Sequence, residues 1–288
     1  MPPGAHGVAE KLPGQEEALR WLRRLETGHD EMGTAVLIVV AHPDDEVIGA
    51  GAQLPRLGGV RLLHVTDGAP RNLLDAKAAG FEGWRDYAKS RRAELLAALA
   101  LAGIEPGQAD QLGIPDQAAS LQMVELADTL AAGFQERGPD IVMTLPYEGG
   151  HPDHDATAFA VHAACALLRQ RRRRAPSIVE MTSYHAGPGG RVMSEFLPRP
   201  EVEVTTLVLG EADRALKRRL VDCFSTQKLV LADLPIELER FRPAPAYDFA
   251  RPPHDGPLHY EAYDWGMDGV RWRILAREAL AALKLCAA

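Results

Sequence analysis

Cysteine is scarce in this chain: Cys165, Cys223 and Cys286 are the three among 288 residues, and no two form a CxxC pair. That spacing argues against a disulfide scaffold and offers no thiolate metal site; it fits a reduced, cytoplasmic setting. Long apolar runs are also lacking. Nothing approaches the roughly 18 apolar residues that span a bilayer. The N-terminus has no basic segment followed by an apolar core, so no secretory signal is expected. Positive charge is in deficit, with 32 Lys and Arg against 40 Asp and Glu, a formal net charge of −8. That balance speaks against non-specific nucleic-acid binding and a polybasic membrane anchor. The remaining composition, 46% hydrophobic and 25% charged, is that of a soluble globular protein long enough for one large α/β domain.

Strand–helix alternation is what the chain has in abundance. Residues 1–33 read as an N-terminal extension with one amphipathic surface helix, Gln15 to Leu25, carrying Leu19, Trp21, Leu22 and Leu25. Apolar strands are expected over Ala35–Ala41, Arg61–Thr66, Asp110–Leu112 and Asp140–Leu145. Between and after them helices are expected over Val47–Leu57, Gly83–Ala102, Ser120 (as N-cap) to Phe134, and Pro152–Arg172. The pattern predicts a Rossmann-like, doubly wound, mainly parallel sheet with helices on both faces. Residues 34–185 would be the catalytic core of a single domain, 34–288, and 186–288 its substrate-specificity part. After Pro176 the alternation weakens: Ser177–Tyr184 and Glu201–Leu209 read as strands, Glu211–Phe224 and Asp268–Leu285 as helices. Phe241–Pro257 reads as a long Pro-rich loop, a candidate substrate wall.

Two polar clusters interrupt this pattern. Ala41-His42-Pro43-Asp44-Asp45-Glu46 follows the first strand, and His151-Pro152-Asp153-His154-Asp155 opens a later helix. Strand ends are where α/β sheets keep their chemistry, so the clusters suggest one metal site assembled from distant sequence. His and carboxylate ligands with one open position are the usual cysteine-free catalytic zinc set. His151 and His154, three apart, project to one side of a helix. Of adjacent Asp44 and Asp45, one can bind metal while the other faces a metal-bound water. His42-x-Asp44 with a distant His also fits a facial triad for non-haem iron, but oxygenases of that type use β-barrels, which this alternation disfavours. Glu46 reads as a brace of the turn, Asp67 as either a turn or a site residue, and His64 and His162 as packed histidines. Tyr247, His254, His259 and Tyr260 stand as pocket or loop residues.

Taken together, Ala-His-Pro-Asp-Asp-Glu and Gly-His-Pro-Asp-His (150–154) resemble the PIG-L/LmbE-like zinc de-N-acetylases over residues 35–185. Thr66-Asp67-Gly68 and Arg91-Arg92-Ala93-Glu94 match further elements. The resemblance implies that His42, Asp45 and His154 bind Zn²⁺, that Asp44 is the general base, and that His151 stabilises the oxyanion or protonates the leaving amine. It implies sugar contacts for Arg91 and Asp116. The expected activity is removal of acetate from an N-acetylglucosamine-type amino sugar or its conjugate, a small-molecule substrate. Fe²⁺ or Co²⁺ suits the same ligands, and a homo-oligomer is left open. The alternatives are a zinc amidase for a larger amide and a non-catalytic carbohydrate-binding module.

Overall fold

The computed structural model describes residues 12–28 and 33–286. The first residues read above for a targeting segment, 1–11, lie outside the described ones. Five strands run parallel: β1 (Val36–Val40), β2 (Arg61–Thr66), β3 (Ala109–Ile114), β4 (Ile141–Thr144) and β5 (Ser177–Met181), in the spatial order β3-β2-β1-β4-β5. The runs of β1, β2, β4 and β5 are buried on both faces, as a parallel sheet between helix layers requires, while β3 at the edge is only partly buried. Two more strands extend the sheet. A hairpin, β6 (Tyr184–Gly187) and β7 (Gly190–Met193), stands apart from it. β8 (Thr205–Val208) forms the sheet's far edge, and β9 (Leu238–Pro243) lies between β5 and β8, antiparallel to both.

Alternate residues of β1 feed two cores. Leu37 and Val39 pack with α5 (Met123–Arg137), α6 (Pro152–Gln170) and α8 (Gly269–Ala282). Val36, Ile38 and Val40 face α1 (Gln15–Glu26), α2 (Asp45–Ala50), α4 (Trp84–Leu101) and α7 (Glu211–Val221). A short α3 (Leu74–Ala78) rests on Tyr87 at the rim. The order of the parallel strands turns back between β1 and β4, which opens a crevice at their carboxyl ends. Each of the two polar clusters follows one of those ends.

The doubly wound, mainly parallel architecture is therefore the one the sequence pattern predicts, with local differences. The α1 stripe is not an appendage: Ala18, Trp21, Leu22 and Leu25 are buried in the second core. α2 stops at Ala50, and a 3₁₀ turn at Leu54–Arg56 replaces the rest of the expected helix. Ser120 caps no helix; its hydroxyl donates to the Pro152 carbonyl, and α5 starts at Met123. The segment expected as a loop from Phe241 begins inside β9. Among the described residues, no helix is long and apolar enough to cross a membrane.

Candidate metal centre

The turn after β1 is held by its own acids. The Asp45 carboxylate accepts the His42 backbone N–H (2.8 Å), and Glu46 accepts that of Asp44 (3.2 Å). Glu46 also pairs with buried His64 at 3.0 Å, so it braces the turn. Asp44 sits at φ 136°, outside the regions that L residues favour. Its carbonyl accepts the N–H groups of Val47 and Ile48 and so starts α2.

α6 is opened by Pro152 at its first position, where a missing N–H costs nothing. His151 precedes it as the cap, and its Nδ1 accepts the Asp153 N–H at 3.1 Å. The neutral imidazole must therefore carry its proton on Nε2. His154 lies within the first turn and has Ser183 Oγ 3.4 Å from its Nδ1.

The two clusters meet. His42 Nδ1 lies 3.2 Å from His154 Nε2 and 3.6 Å from Asp45 Oδ2; Asp45 Oδ1 lies 3.1 Å from His154 Nε2. A tetrahedral ion with bonds of about 2.0–2.2 Å keeps its ligand atoms about 3.4 Å apart, so these spacings fit one divalent cation. On its other side the His42 ring points Nε2 at Asp116 Oδ1 (3.1 Å) and Asp153 Oδ2 (3.5 Å). Donation to those acids leaves Nδ1 a bare lone pair, the carboxylate–histidine–metal arrangement. Donor atoms of His42, His151 and His154 all fall within 4.8 Å of one another, as do those of His42, Asp116, His151 and Asp153. In the second group His42 uses the nitrogen that donates, so the first describes the cation's side of the ring.

Charge also favours a cation. Asp44, Asp45, Asp116 and Asp153 face one permanent positive group, Arg91. Burial pushes Asp44 up to about 8; Arg91 opposes this, while Asp45 adds to it. Burial also raises Asp45, but the His154 and His42 imidazoles outweigh it and hold the group well below the usual carboxylate range. His42 would be lowered by burial, yet Asp116, Asp153 and Asp45 keep it well above an ordinary histidine. His151 is pushed well down by burial and by His42.

Arg91 and Asp116, expected to touch sugar, both have protein partners. Arg91 is buried and donates to the Gly68 carbonyl (3.0 Å), the Pro43 carbonyl (2.8 Å) and Asp44 Oδ2 (3.1 Å). Asp116 orients His42. Asp153 accepts the Gln117 and Ala119 N–H groups, which ties the loop after β3 to α6. Asp67 pairs with Arg71 and caps its own turn. His162 is packed against Tyr247 and Phe249, and burial lowers it to about 3. Tyr247 and Tyr260 are core residues and His254 has its Nδ1 2.9 Å from the Asp255 carbonyl, whereas His259 reaches Tyr184, which meets the His154 ring edge-on. Surface depressions between α1 and β8 and between β3 and α5 lie elsewhere.

Sequence reasoning missed the groups that fix the second loop. Arg242 on β9 is fully buried and grips Glu180 (2.7 Å) and Glu148 (3.0 Å), while its guanidinium covers the Phe196 ring. Glu148 also takes the Leu197 N–H. Two glycines then let the C-terminal part close on the loop. A Cβ on Gly150 would lie 1.9 Å from the Tyr184 carbonyl oxygen, and one on Gly149 2.7 Å from Leu258. The His259 N–H donates to the Gly149 carbonyl at 2.8 Å.

Residues 37–165 match the family model described as PIG-L, GlcNAc-PI de-N-acetylase. A 1D-myo-inositol 2-acetamido-2-deoxy-alpha-D-glucopyranoside deacetylase of Mycobacterium sp. (strain KMS) is 32% identical over 158 residues, 46% of this chain and 51% of that protein. A probable N-acetyl-alpha-D-glucosaminyl L-malate deacetylase 2 of Bacillus cereus is 29% identical over 151 residues, 51% of this chain and 68% of the other. The chain thus spans about half the length of the mycobacterial relative. A solved deacetylase of the teicoplanin biosynthesis pathway shares the fold, with TM-score 0.57 and 19% identity over 73% of this chain and 97% of that one.

Proposed function

We propose, on the match of residues 37–165 to the PIG-L family model, that this protein is a zinc-dependent hydrolase. It removes the acetyl group from an N-acetylglucosamine-type amino sugar or its conjugate, giving acetate and a free amine. The observation that carries the reading is the convergence of His42 Nδ1, His154 Nε2 and the Asp45 carboxylate at 3.1–3.6 Å. The absence of sulfur from that donor set suits zinc, and Fe²⁺ or Co²⁺ would be held by the same atoms.

Zinc, when bound, supplies a lowered water pKa and a polarised amide carbonyl. The chain's own residues do the rest. Arg91 occupies Asp44 Oδ2, so Oδ1 is the atom that takes the proton from the attacking water. The same carboxyl group returns that proton to the amide nitrogen as the C–N bond breaks. His151, with Nδ1 committed to the Asp153 N–H, presents Nε2–H to the carbonyl oxygen as it gains charge. Arg91 and Asp116 act as positioning groups, the first for Asp44 and the second for His42. The stretch 186–288 carries specificity, and the three free cysteines support a cytoplasmic setting.

The test is Asp44→Asn. Loss of a positioned base lowers turnover by about 10²–10⁴-fold, while metal content measured by elemental analysis stays near that of the parent. Acetate release from methyl N-acetylglucosaminide at the parental rate would remove Asp44 from the mechanism.

A further inference from the structure

The two site histidines carry an arc of aromatic rings that the hydrolytic chemistry does not use. Trp265 lies against His151 with ring centroids 4.7 Å apart, and Tyr263 stacks on Trp265 at 4.5 Å and 10°. His259 follows at 5.4 Å from Tyr263, then Tyr184 at 5.4 Å from His259. Tyr184 returns to His154 at 5.1 Å. The arc therefore begins and ends on the site itself.

These rings do not behave as core. The core aromatics Tyr147, Tyr260 and Trp272 are buried, whereas Tyr184, His259 and Trp265 are half-buried and Tyr263 is 46% exposed. Their backbone is nonetheless fixed. Glu261 accepts the N–H groups of Leu258 and Gly269, and His259 is tied to Gly149. A rigid, half-exposed stack costs little entropy to offer to a ligand. On the other side of His151 the neighbours are polar: Asp116 Oδ1 lies 3.7 Å from its Nε2, and next to Asp116 in sequence Gln117 bonds Asn72 at 3.4 Å.

We propose that Tyr184, His259, Tyr263 and Trp265 form the aglycone wall of the site and take the flat face of a ring joined to the amino sugar. The inference rests on the amino-sugar reading above and narrows it: an aryl or second pyranose ring stacks on Tyr263 and Trp265 while the acetamido group reaches His42, Asp45 and His154. Aromatic faces attract either ring through the same dispersion and edge contacts. Acyclic or methyl aglycones leave the outer half of the wall unused.

Calorimetric titration of the metal-loaded Asp44→Asn variant reads this without turnover. The probes are the phenyl, methyl and N-acetylglucosaminyl β-glycosides of N-acetylglucosamine. Phenyl and disaccharide ligands should bind about fivefold tighter than methyl. Adding Tyr263→Ala should erase that advantage and leave methyl binding unchanged; Tyr263→Phe should keep it. An advantage for the phenyl probe alone, or for the disaccharide alone, names the ring that the wall prefers and also supports the inference. Equal affinity for the three probes, or an equal loss for all of them in Tyr263→Ala, overturns it. Selective binding in a protein whose parent releases no acetate would sink the hydrolase reading and leave the wall standing.

Discussion

The two walls of the crevice are built on opposite plans. The wall from β1 to β4 is buried, and its polar atoms bind one another: Asp116 and Asp153 hold His42, Arg91 holds Asp44, and Glu46 braces the turn. The opposite wall, made of Tyr184, His259, Tyr263 and Trp265, is half-exposed or exposed and presents ring faces. Reaction chemistry needs groups held within fractions of an ångström, and saturated hydrogen bonding supplies that. Recognition of a variable aglycone needs area more than fixed bonds. The contrast assigns chemistry to one wall and selectivity to the other.

Four substitutions break or sharpen this contrast, in descending order of expected effect. His154→Ala removes one of three converging donors. Purified protein should lose its metal by elemental analysis and its turnover with it, yet keep its circular-dichroism spectrum. Arg242→Met takes the donating guanidinium from Glu148 and leaves Glu180 buried without its counter-charge. Unpairing a buried charge costs about 3–5 kcal/mol, to be read from denaturant unfolding. An unchanged midpoint would show that the joint between the walls does not depend on this residue.

Asp116→Asn separates orientation from sugar contact. An amide offers His42 Nε2–H a weaker acceptor, so metal affinity should fall about 10–100-fold. The KM of the remaining metal-saturated enzyme should hold steady. A change confined to KM would restore the sugar role. Glu148→Gln gives the smallest effect. Burial, opposed by Arg242, raises Glu148 to about 8, so the folded state keeps a proton that the unfolded chain releases near pH 4.5. Stability then declines as pH rises from about 4.5 to 8, by at most about 1.4 kcal/mol per pH unit, and levels off above. Glutamine cannot ionise but still accepts from Leu197 and Arg242. Its Tm should therefore fall less between pH 5 and pH 8 than that of the parent.

Much of the chemical wall was legible because its signals are local. An apolar run ending in His42–Glu46, and a Pro-started helix bearing His151 and His154, announce themselves within a few residues. The partners of Arg91 and Asp116 did not: Arg91 meets Asp44 across 47 residues and Asp116 meets His42 across 74. Nothing in either neighbourhood reveals these partners. β9 hid for a related reason. Leu-Glu-Arg-Phe-Arg-Pro carries three charges and its second half lies in the stretch read as a Pro-rich loop, yet Glu239 pairs with buried Lys217 and Arg242 with Glu180 and Glu148. Burial of charge depends on a distant counter-charge, and pattern analysis does not see it. The aromatic arc is dispersed over residues 184–265 with no period, so only folding assembles it.

Gly150 gives the two-wall plan a practical reading. Its missing side chain is filled by the Tyr184 carbonyl oxygen, 1.9 Å from where a Cβ would be, and the next residue is His151. At Gly150 the two walls meet through bare backbone, which sets the fit there. A graft that brings in a different 184–268 segment would have to reproduce that main-chain crossing, while its ring-bearing side chains are free to differ. In such a chimera the histidines and aspartates need no redesign, and new substrates become a question of which rings are placed above them.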